Sequence, residues 1–441
     1  MKPHDLISVL RACAPYVHAH NGAVFVIAFG GEAAQRPDFE RLMHDVGLLH
    51  ALGVKLVLVH GARPQVDERL GQRDIMSEYV EGLRVTDRAT LECVKEAVGS
   101  VRMEIEAKLS TSLASTPMGG ARIKVAHGNW ITAKPVGVRQ GVDLQYTGEV
   151  RRVDIGSIRA NLDADRVCLI SPIGYSPTGE IFNLRAEDVA TAVAAAIGAD
   201  KLVFLVPSDP RKWPLAREAG DAGQISVPEA EALLRERGDD LSAEDRGCLN
   251  SVIAAGRGGV KRVHLLNMAM DGALLRELYT RDGAGLFFYA DNEYETTRTA
   301  TIDDIGGLLG LIQPLEAEGA LVPRPREQLE QDIGNYMVMV RDGAAIACCA
   351  LYAFPESQVG ELACVAVHPD YQRGGRAATL LKRIEEHARA RGLKRLFALT
   401  THAPHWFVER GFREGSVDEL PMRRQQLFNW QRNSLVLIKD L

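Results

Sequence analysis

The apolar positions of this chain fall into two textures. In VFVIAFGG (24–31) and VKLVLVHGARP (54–64) they run on without alternation and stop at glycine. Continuous apolar strands suit a parallel sheet covered on both faces. Between them, RPDFERLMHDVGLLHALG (36–53) has helical periodicity and a glycine stop, so the order is strand, helix, strand. The pattern returns in RVCLISPIG (166–174), AEDVATAVAAAIGADKLVFLVP (186–207) and GVKRVHLLNMAMDGALLRELY (259–279). Leu6, Val9, Leu10, Cys13 and Val17 mark an amphipathic leading helix. Residues 1–285 are therefore expected to form one α/β domain of αβα sandwich type.

The second texture begins after ADNEYETTRTA (290–300), a charged and β-branched stretch that marks a linker, assigned to 286–297. Beyond it the strands are short and carry turn signals. YMVMVRDGAAIACCALYAF (336–354) reads as strand, Asp-Gly turn, strand. GELACVAVHP (360–369), LKRLFALTT (393–401) and NSLVLIKDL (433–441) are further strands, with helices at RAATLLKRIEEHARARG (376–392) and WFVERGF (406–412). Residues 298–441 are expected to be an α+β domain.

Composition narrows the function classes. Apolar residues make up 46% and charged residues 25%, ordinary for a globular protein with a core. A net charge of -6 excludes a surface that is basic throughout, so no nucleic-acid partner is expected. No apolar run is long enough to span a bilayer, so no membrane partner is expected. Seven cysteines without metal-type spacing read as reduced thiols of a cytoplasmic protein, with no metal expected.

The chemistry is concentrated in CVAVHPDYQRGGRAATLL (364–381). A strand ends at His368-Pro369, and the loop Gln372-Arg373-Gly374-Gly375-Arg376-Ala377 opens into a helix. Such a loop offers unsatisfied N–H groups and the positive end of the helix dipole to an anion such as a pyrophosphate. The order Q-x-x-G-x-A at 372–377, followed downstream by W-F-x-E-R-G-F (406–412), resembles the coenzyme A loop of the GNAT acetyltransferases. That resemblance implies acetyl-CoA as cosubstrate, bound by Cys364, Val365, Ala366, Val367, Gln372, Arg373, Gly374, Gly375, Arg376 and Ala377.

Acyl transfer to an amine needs a base, an oxyanion donor and a proton source for the leaving thiolate. Glu361, opening the strand, is the best-placed base. A backbone N–H around Cys364 to Ala366 is the natural oxyanion donor, and Thr400 offers a hydroxyl. Taken alone, a strand-end glutamate is more often solvated, and a strand threonine is more often there for its β-propensity. A covalent carrier role for Cys364 lacks an evident paired base.

The amine's own groups are addressed elsewhere. LVPRPREQLE (321–330) supplies Arg324 and Arg326, and the tail supplies Arg432 and Ser434; arginine binds carboxylates bidentately. Together with E-L-A-C-V-A-V-H-P-D-Y-Q, L-T-T-x-x-x-x-W-F-x-E-R-G-F and L-P-x-x-R-x-x-x-x-N-x-Q-R-N-S-x-V-L, these blocks resemble the bacterial two-domain N-acetylglutamate synthases over nearly the whole chain. The resemblance implies acetyl transfer to the α-amine of L-glutamate, the first step of arginine biosynthesis. It assigns catalysis to Glu361 and Thr400, and glutamate binding to Arg324, Cys364, Arg432 and Ser434. Pro323 departs from the expected V-R-R-S-R-E run. The alternatives are a GNAT enzyme for another small amine, or a bifunctional synthase and kinase.

The first domain resembles the amino-acid kinases through VFVIAFGGE (24–32) and LVLVHGARP (56–64). In that family the first strand carries a lysine that stabilises the transferring phosphoryl group. Here the position is Ala28, and GARP replaces a triple glycine. Kinase activity is expected to be lost. The likeness of 259–285 to arginine-inhibited acetylglutamate kinases implies an L-arginine effector site, with Tyr16, Asp271, Glu277, Thr280, Gly283 and Gly285 as its candidates. It also implies a homo-oligomer, a ring-shaped hexamer.

Overall fold

The computed structural model describes all residues except 1, 2, 112–115, 117, 214, 215, 217–222, 281, 282, 291–294, 342, 343, 373, 374, 402, 403, 430, 431 and 433. The chain divides into two compact units, Met1–Asn292 and Glu293–Leu441.

In the first unit the apolar runs become β1 (Val24–Phe29), β2 (Lys55–His60), β3 (Lys124–Ala126), β4 (Arg166–Ile170), β5 (Lys201–Val206), β6 (Gln224–Ser226), β7 (Arg262–Asn267) and β8 (Leu286–Tyr289). The sheet order is β6-β8-β7-β5-β1-β2-β4-β3, and every neighbouring pair is parallel except β7 with β8. Along β1, Phe25, Ile27 and Phe29 enter one core, while Val26 and Ala28 enter the core on the other face. Both faces are buried, which is why the strand shows no polar alternation.

A separate four-stranded sheet, built from Ile131–Pro135, Gly148–Val153, Ile173–Tyr175 and Ile181–Asn183, gave no signal in the sequence reading. The leading helix Pro3–His20 lays Cys13, Tyr16 and Val17 on the core, whereas Ile7, Val9 and Leu10 stay exposed. Among the described residues, no helix is long and apolar enough to cross a membrane.

The segment read as a linker, 286–297, contains strand at both ends. Leu286, Phe287 and Phe288 are buried in β8 beside β7, because an apolar run of that kind has to be covered. Residues 296 and 297 open β9 (Thr296–Thr299), an edge strand of the second unit with no apolar face to reveal it.

The second unit continues with β10 (Tyr336–Arg341), β11 (Ala344–Phe354), β12 (Val359–Val367), β13 (Arg395–Thr400), β14 (Arg413–Gly415) and β15 (Leu435–Asp440), ordered β9-β10-β11-β12-β13-β15-β14. The helix Arg376–Ala390 packs Leu380, Leu381, Ile384 and Ala388 onto one face, and the helix Ile305–Ala317 packs Leu308 and Ile312 onto the other. Sheet and helices thus form the α+β unit expected.

Candidate active site

The site is made by two irregularities of β12. The first is that it parts from its neighbour. β12 and β13 are parallel and pair only from Val359 to Glu361 against Arg395 to Phe397. Beyond Glu361 the ladder stops, and Leu362–Val367 and Ala398–Thr400 diverge.

The second is a bulge. Against β11, Tyr352 pairs with Glu361 and Ala350 with Ala363, but Cys348 pairs with Ala366, so Cys364 and Val365 together oppose Cys349. Cys364 takes φ of 51°, a left-handed conformation uncommon outside glycine. Such a conformation costs on the order of 1–3 kcal/mol and persists where the surroundings enforce it.

The bulge re-phases the strand. Leu362, Val365 and Val367 face the helix Arg376–Ala390, whereas Ala363, Cys364 and Ala366 face the helix Ile305–Ala317. Glu361 lies directly opposite Tyr352, which packs on that second core. Glu361 and Cys364, three residues apart, would alternate onto opposite faces of a regular strand. Here they share one.

Glu361 is held by a residue far away in sequence. Arg424, on the short helix Met422–Gln426, donates from Nε to Oε2 at 2.8 Å and from Nη2 to Oε1 at 3.1 Å. Sequence reasoning gave Arg424 no role, although it is the arginine of L-P-x-x-R.

Cys364 borders a buried polar group. Its sulfur lies 3.5 Å from the Tyr336 hydroxyl, which is 3.3 Å from the Tyr352 hydroxyl, and Tyr352 donates to Asp332 at 3.4 Å. Burial pushes the Cys364 thiol up despite the nearby Arg324 cation. A thiol so placed stays protonated, which fits a core role rather than that of an acyl carrier.

Arg324 and Arg432 lie close enough for their charges to interact. Arg432 donates through Nη2 to the carbonyls of Gly319 at 2.9 Å and Ala320 at 2.6 Å, and Arg324 donates to the carbonyl of Val322 at 3.0 Å. Burial, and then the Arg324 cation, lower the pKa of Arg432 from its ordinary value. Among the described residues, neither arginine has a carboxylate within ion-pair distance. Arg326 differs: it is exposed and paired with Glu330 one helical turn on.

Thr400 closes β13 and pairs with Leu435, next to Ser434. It lies across the parting from the bulge. Gly375 caps the helix Arg376–Ala390 in the left-handed region at φ 74°, with nothing within 4 Å of where a Cβ would stand. Gln372 is exposed beside it and Ala377 begins the first turn. Arg373 and Gly374 lie outside the described residues.

Arg376, expected to serve the cofactor's phosphates, is engaged otherwise. Its Nε lies 2.9 Å from each oxygen of Glu295, and its Nη1 donates to the Tyr371 carbonyl at 3.1 Å. It braces the start of its own helix.

In the first unit, the effector candidates separate into two places. Glu277 turns inward: its carboxylate accepts from the N–H groups of Ala284 at 2.6 Å and Gly285 at 3.1 Å, and meets His264 Nδ1 at 2.6 Å. Burial opposes its charge, but His264 and the two amides outweigh that and hold it at about 2. Burial also lowers the pKa of His264, so a neutral imidazole donates to an ionised carboxylate. Gly283 approaches the same carboxylate so closely that a Cβ there would lie 2.6 Å from Oε2. Gly285 is pressed against the Leu265 carbonyl. Thr280 ends this helix and donates to the Arg276 carbonyl at 2.6 Å. Tyr16 lies on the leading helix, 6.4 Å from His20, whose ring packs 5.3 Å from Tyr279. Asp271 stands apart, ion-paired with Arg41. Glu277 is therefore occupied by the chain's own donors, and Asp271 by a surface arginine.

Comparison with known proteins fits this division. Residues 23–267 match the amino acid kinase family, and residues 310–412 the acetyltransferase (GNAT) family. An amino-acid acetyltransferase of Pseudomonas fluorescens (strain Pf0-1) is 50% identical, over 99% of this chain and 100% of its own length. One from Ralstonia nicotianae is 49% identical over 99% and 96%. The crystal structure of N-acetylglutamate synthase from Neisseria gonorrhoeae, complexed with coenzyme A and L-arginine, superposes with a TM-score of 0.87 at 37% identity, covering 99% of each chain. The same neisserial protein complexed with coenzyme A and N-acetyl-glutamate gives 0.62 at the same identity and coverage. The chain belongs to the amino-acid acetyltransferases, an amino acid kinase-family domain joined to a GNAT domain.

Proposed function

We propose that this enzyme transfers the acetyl group of acetyl-CoA to the α-amine of L-glutamate, and that L-arginine inhibits it. The observation that carries the substrate is the pair Arg324 and Arg432. Two neighbouring cations without a carboxylate partner among the described residues suit a ligand that brings carboxylates. The neisserial complexes with coenzyme A and either L-arginine or N-acetyl-glutamate support the same set of ligands.

Each step then has a residue. Glutamate is held by Arg324, Arg432, Ser434 and the backbone at Cys364. Glu361 accepts a proton from the ammonium, directly or through a water, and the freed amine attacks the thioester carbon. Charge developing on the carbonyl oxygen is met by backbone N–H groups at the bulge, where Cys364 and Val365 share a single opposite residue. The carbon–sulfur bond breaks, the nitrogen's second proton passes by way of the Thr400 hydroxyl to the thiolate, and Glu361 releases the proton it took to water, so one proton is freed per turnover. The phosphates of acetyl-CoA lie along Gln372–Ala377 at the helix N-terminus.

The kinase-like unit serves regulation and assembly. Arginine binding around Tyr16 and the 277–285 turn would couple to the acetyltransferase unit reciprocally. The chain is read as a cytoplasmic homo-oligomer, a hexamer by resemblance, with exposed Ile7, Val9 and Leu10 available for contacts.

The test is CoA release from acetyl-CoA with a panel of amino acids, with and without L-arginine. Turnover with glutamate that arginine lowers supports the whole reading. Turnover with a different amine alone overturns the substrate, and turnover indifferent to arginine overturns the effector.

A further inference from the structure

A base on a strand end is ordinarily free to rotate. The terminal torsion of a glutamate is broad, so its carboxylate plane is poorly defined unless something fixes it. Glu361 is fixed. Its side chain is 12% exposed, that of Arg424 is 21% exposed, and both carboxylate oxygens receive a guanidinium N–H. A two-point fork of this kind sets the plane of the carboxylate as well as its distance.

The fork is itself anchored. Arg424 Nη1 donates to the Leu427 carbonyl at 3.2 Å, where the helix Met422–Gln426 ends. Tyr352 lies across the ladder from Glu361, and Cys364 lies near it on the same strand. Among the described residues, Arg424 is the cation hydrogen-bonded to the Glu361 carboxylate.

Stability alone is a weak reason for the pair. A part-buried ion pair costs desolvation that largely offsets its attraction, and hydrophobic replacements are often neutral. Orientation is a better one. An ionised carboxylate has about four acceptor sites. The fork occupies one on each oxygen and leaves one on each in a defined direction.

We infer that Arg424 is a positioning residue for the base: it holds the Glu361 carboxylate in one plane, so that the substrate ammonium or its bridging water meets an oriented acceptor. The inference rests on the reading of Glu361 as the base.

The experiment is a double-mutant cycle on the full chain. Arg424→Ala is expected to lower kcat about 10–100-fold, with the KM for acetyl-CoA unchanged within about twofold. Arg424→Lys, which keeps the charge but not the fork, should fall between. Millimolar guanidinium should restore part of the activity of Arg424→Ala and none to Glu361→Gln. In the Glu361→Gln background, Arg424→Ala should add little further loss, because the group it positions is gone. Equal loss in both backgrounds would overturn the inference, since Arg424 would then act independently of Glu361. So would wild-type kcat in a folded Arg424→Ala. Wild-type activity in Glu361→Gln alone would instead sink the base assignment, and the inference with it. Thermal melting and CoA binding show whether each variant is folded; if Arg424→Ala is not, Arg424→Lys carries the same comparison.

Discussion

Both units of this chain run strands into glycine turns followed by helices, and they treat that element in opposite ways. In the first unit the two turns touch. A Cβ on Gly31 would lie 2.2 Å from Gln65 Oε1 and 2.8 Å from the Ala62 Cα, and one on Gly61 would lie 3.1 Å from the Gly30 Cα. The nearby charge is also wrong for phosphate. Burial raises the pKa of Glu32, and Glu244 and Glu187 raise it further, with Arg63 opposing. In the second unit the glycine at the helix start has open space beside it, and, among the described residues, Arg324 and Arg432 have no carboxylate within ion-pair distance. Backbone geometry for an anion can therefore outlast its use. Room beside the glycine is what separates the second unit's turn from the first's.

The comparison is broken or sharpened most strongly at Glu361. Replacing it with Gln should lower kcat by roughly 10²–10⁴-fold, the usual worth of a positioned general base, while binding of acetyl-CoA measured by calorimetry stays intact. The arginines come next. Arg324→Ala or Arg432→Ala should raise the KM for glutamate about 10–100-fold, as expected for a lost charge-assisted contact of about 1.5–3 kcal/mol. Acetyl-CoA KM should hardly move in steady-state kinetics.

A gain-of-function attempt probes the other unit. Ala28 is 3% exposed in the central strand. Ala28→Lys puts an unpaired cation there at a cost of several kcal/mol, so the melting temperature should fall. ADP formation with ATP and N-acetylglutamate should remain at background. Measurable phosphorylation would show that one lysine was all the first unit lacked, and would undo the contrast.

The smallest effect expected is a pH dependence of stability. Glu277 is held near 2 against an ordinary 4.5. A carboxylate whose folded pKa is depressed stabilises fully above its unfolded value and loses that contribution as the pH falls through the folded one. Stabilisation on the order of 3 kcal/mol should therefore fade between about pH 4.5 and pH 2, and Glu277→Gln should flatten that part of a urea-unfolding series.

Much of this was legible in the chain itself, for physical reasons. Uninterrupted runs such as VFVIAF and KLVLVH announce strands buried on both faces, and the periodic Leu380, Leu381, Ile384 and Ala388 announce a helix with one wet side. What escaped depends on contacts between distant residues or on backbone angles. The bulge at Cys364 is silent, because C-V-A-V reads as regular strand whatever its φ. Arg424 meets Glu361 across 63 positions of sequence, and Arg376 meets Glu295 across 81. An arginine beside a phosphate loop looks the same on paper whether it faces the ligand or braces the helix. The short strands between residues 131 and 183 were missed because three to six residues are too few to show a period.

The bulge has an evolutionary corollary. Between Glu361 and Val367 the strand depends on its bulge as well as on its side chains. Straightening this stretch into a regular strand of the same length would exchange inside for outside for everything beyond the bulge. Cys364 and Ala366 would turn towards the helix Arg376–Ala390, and Val365 and Val367 towards the helix Ile305–Ala317. Residues that resist the left-handed conformation at 364, β-branched ones above all, should thus be selected against there more sharply than a plain strand position would demand.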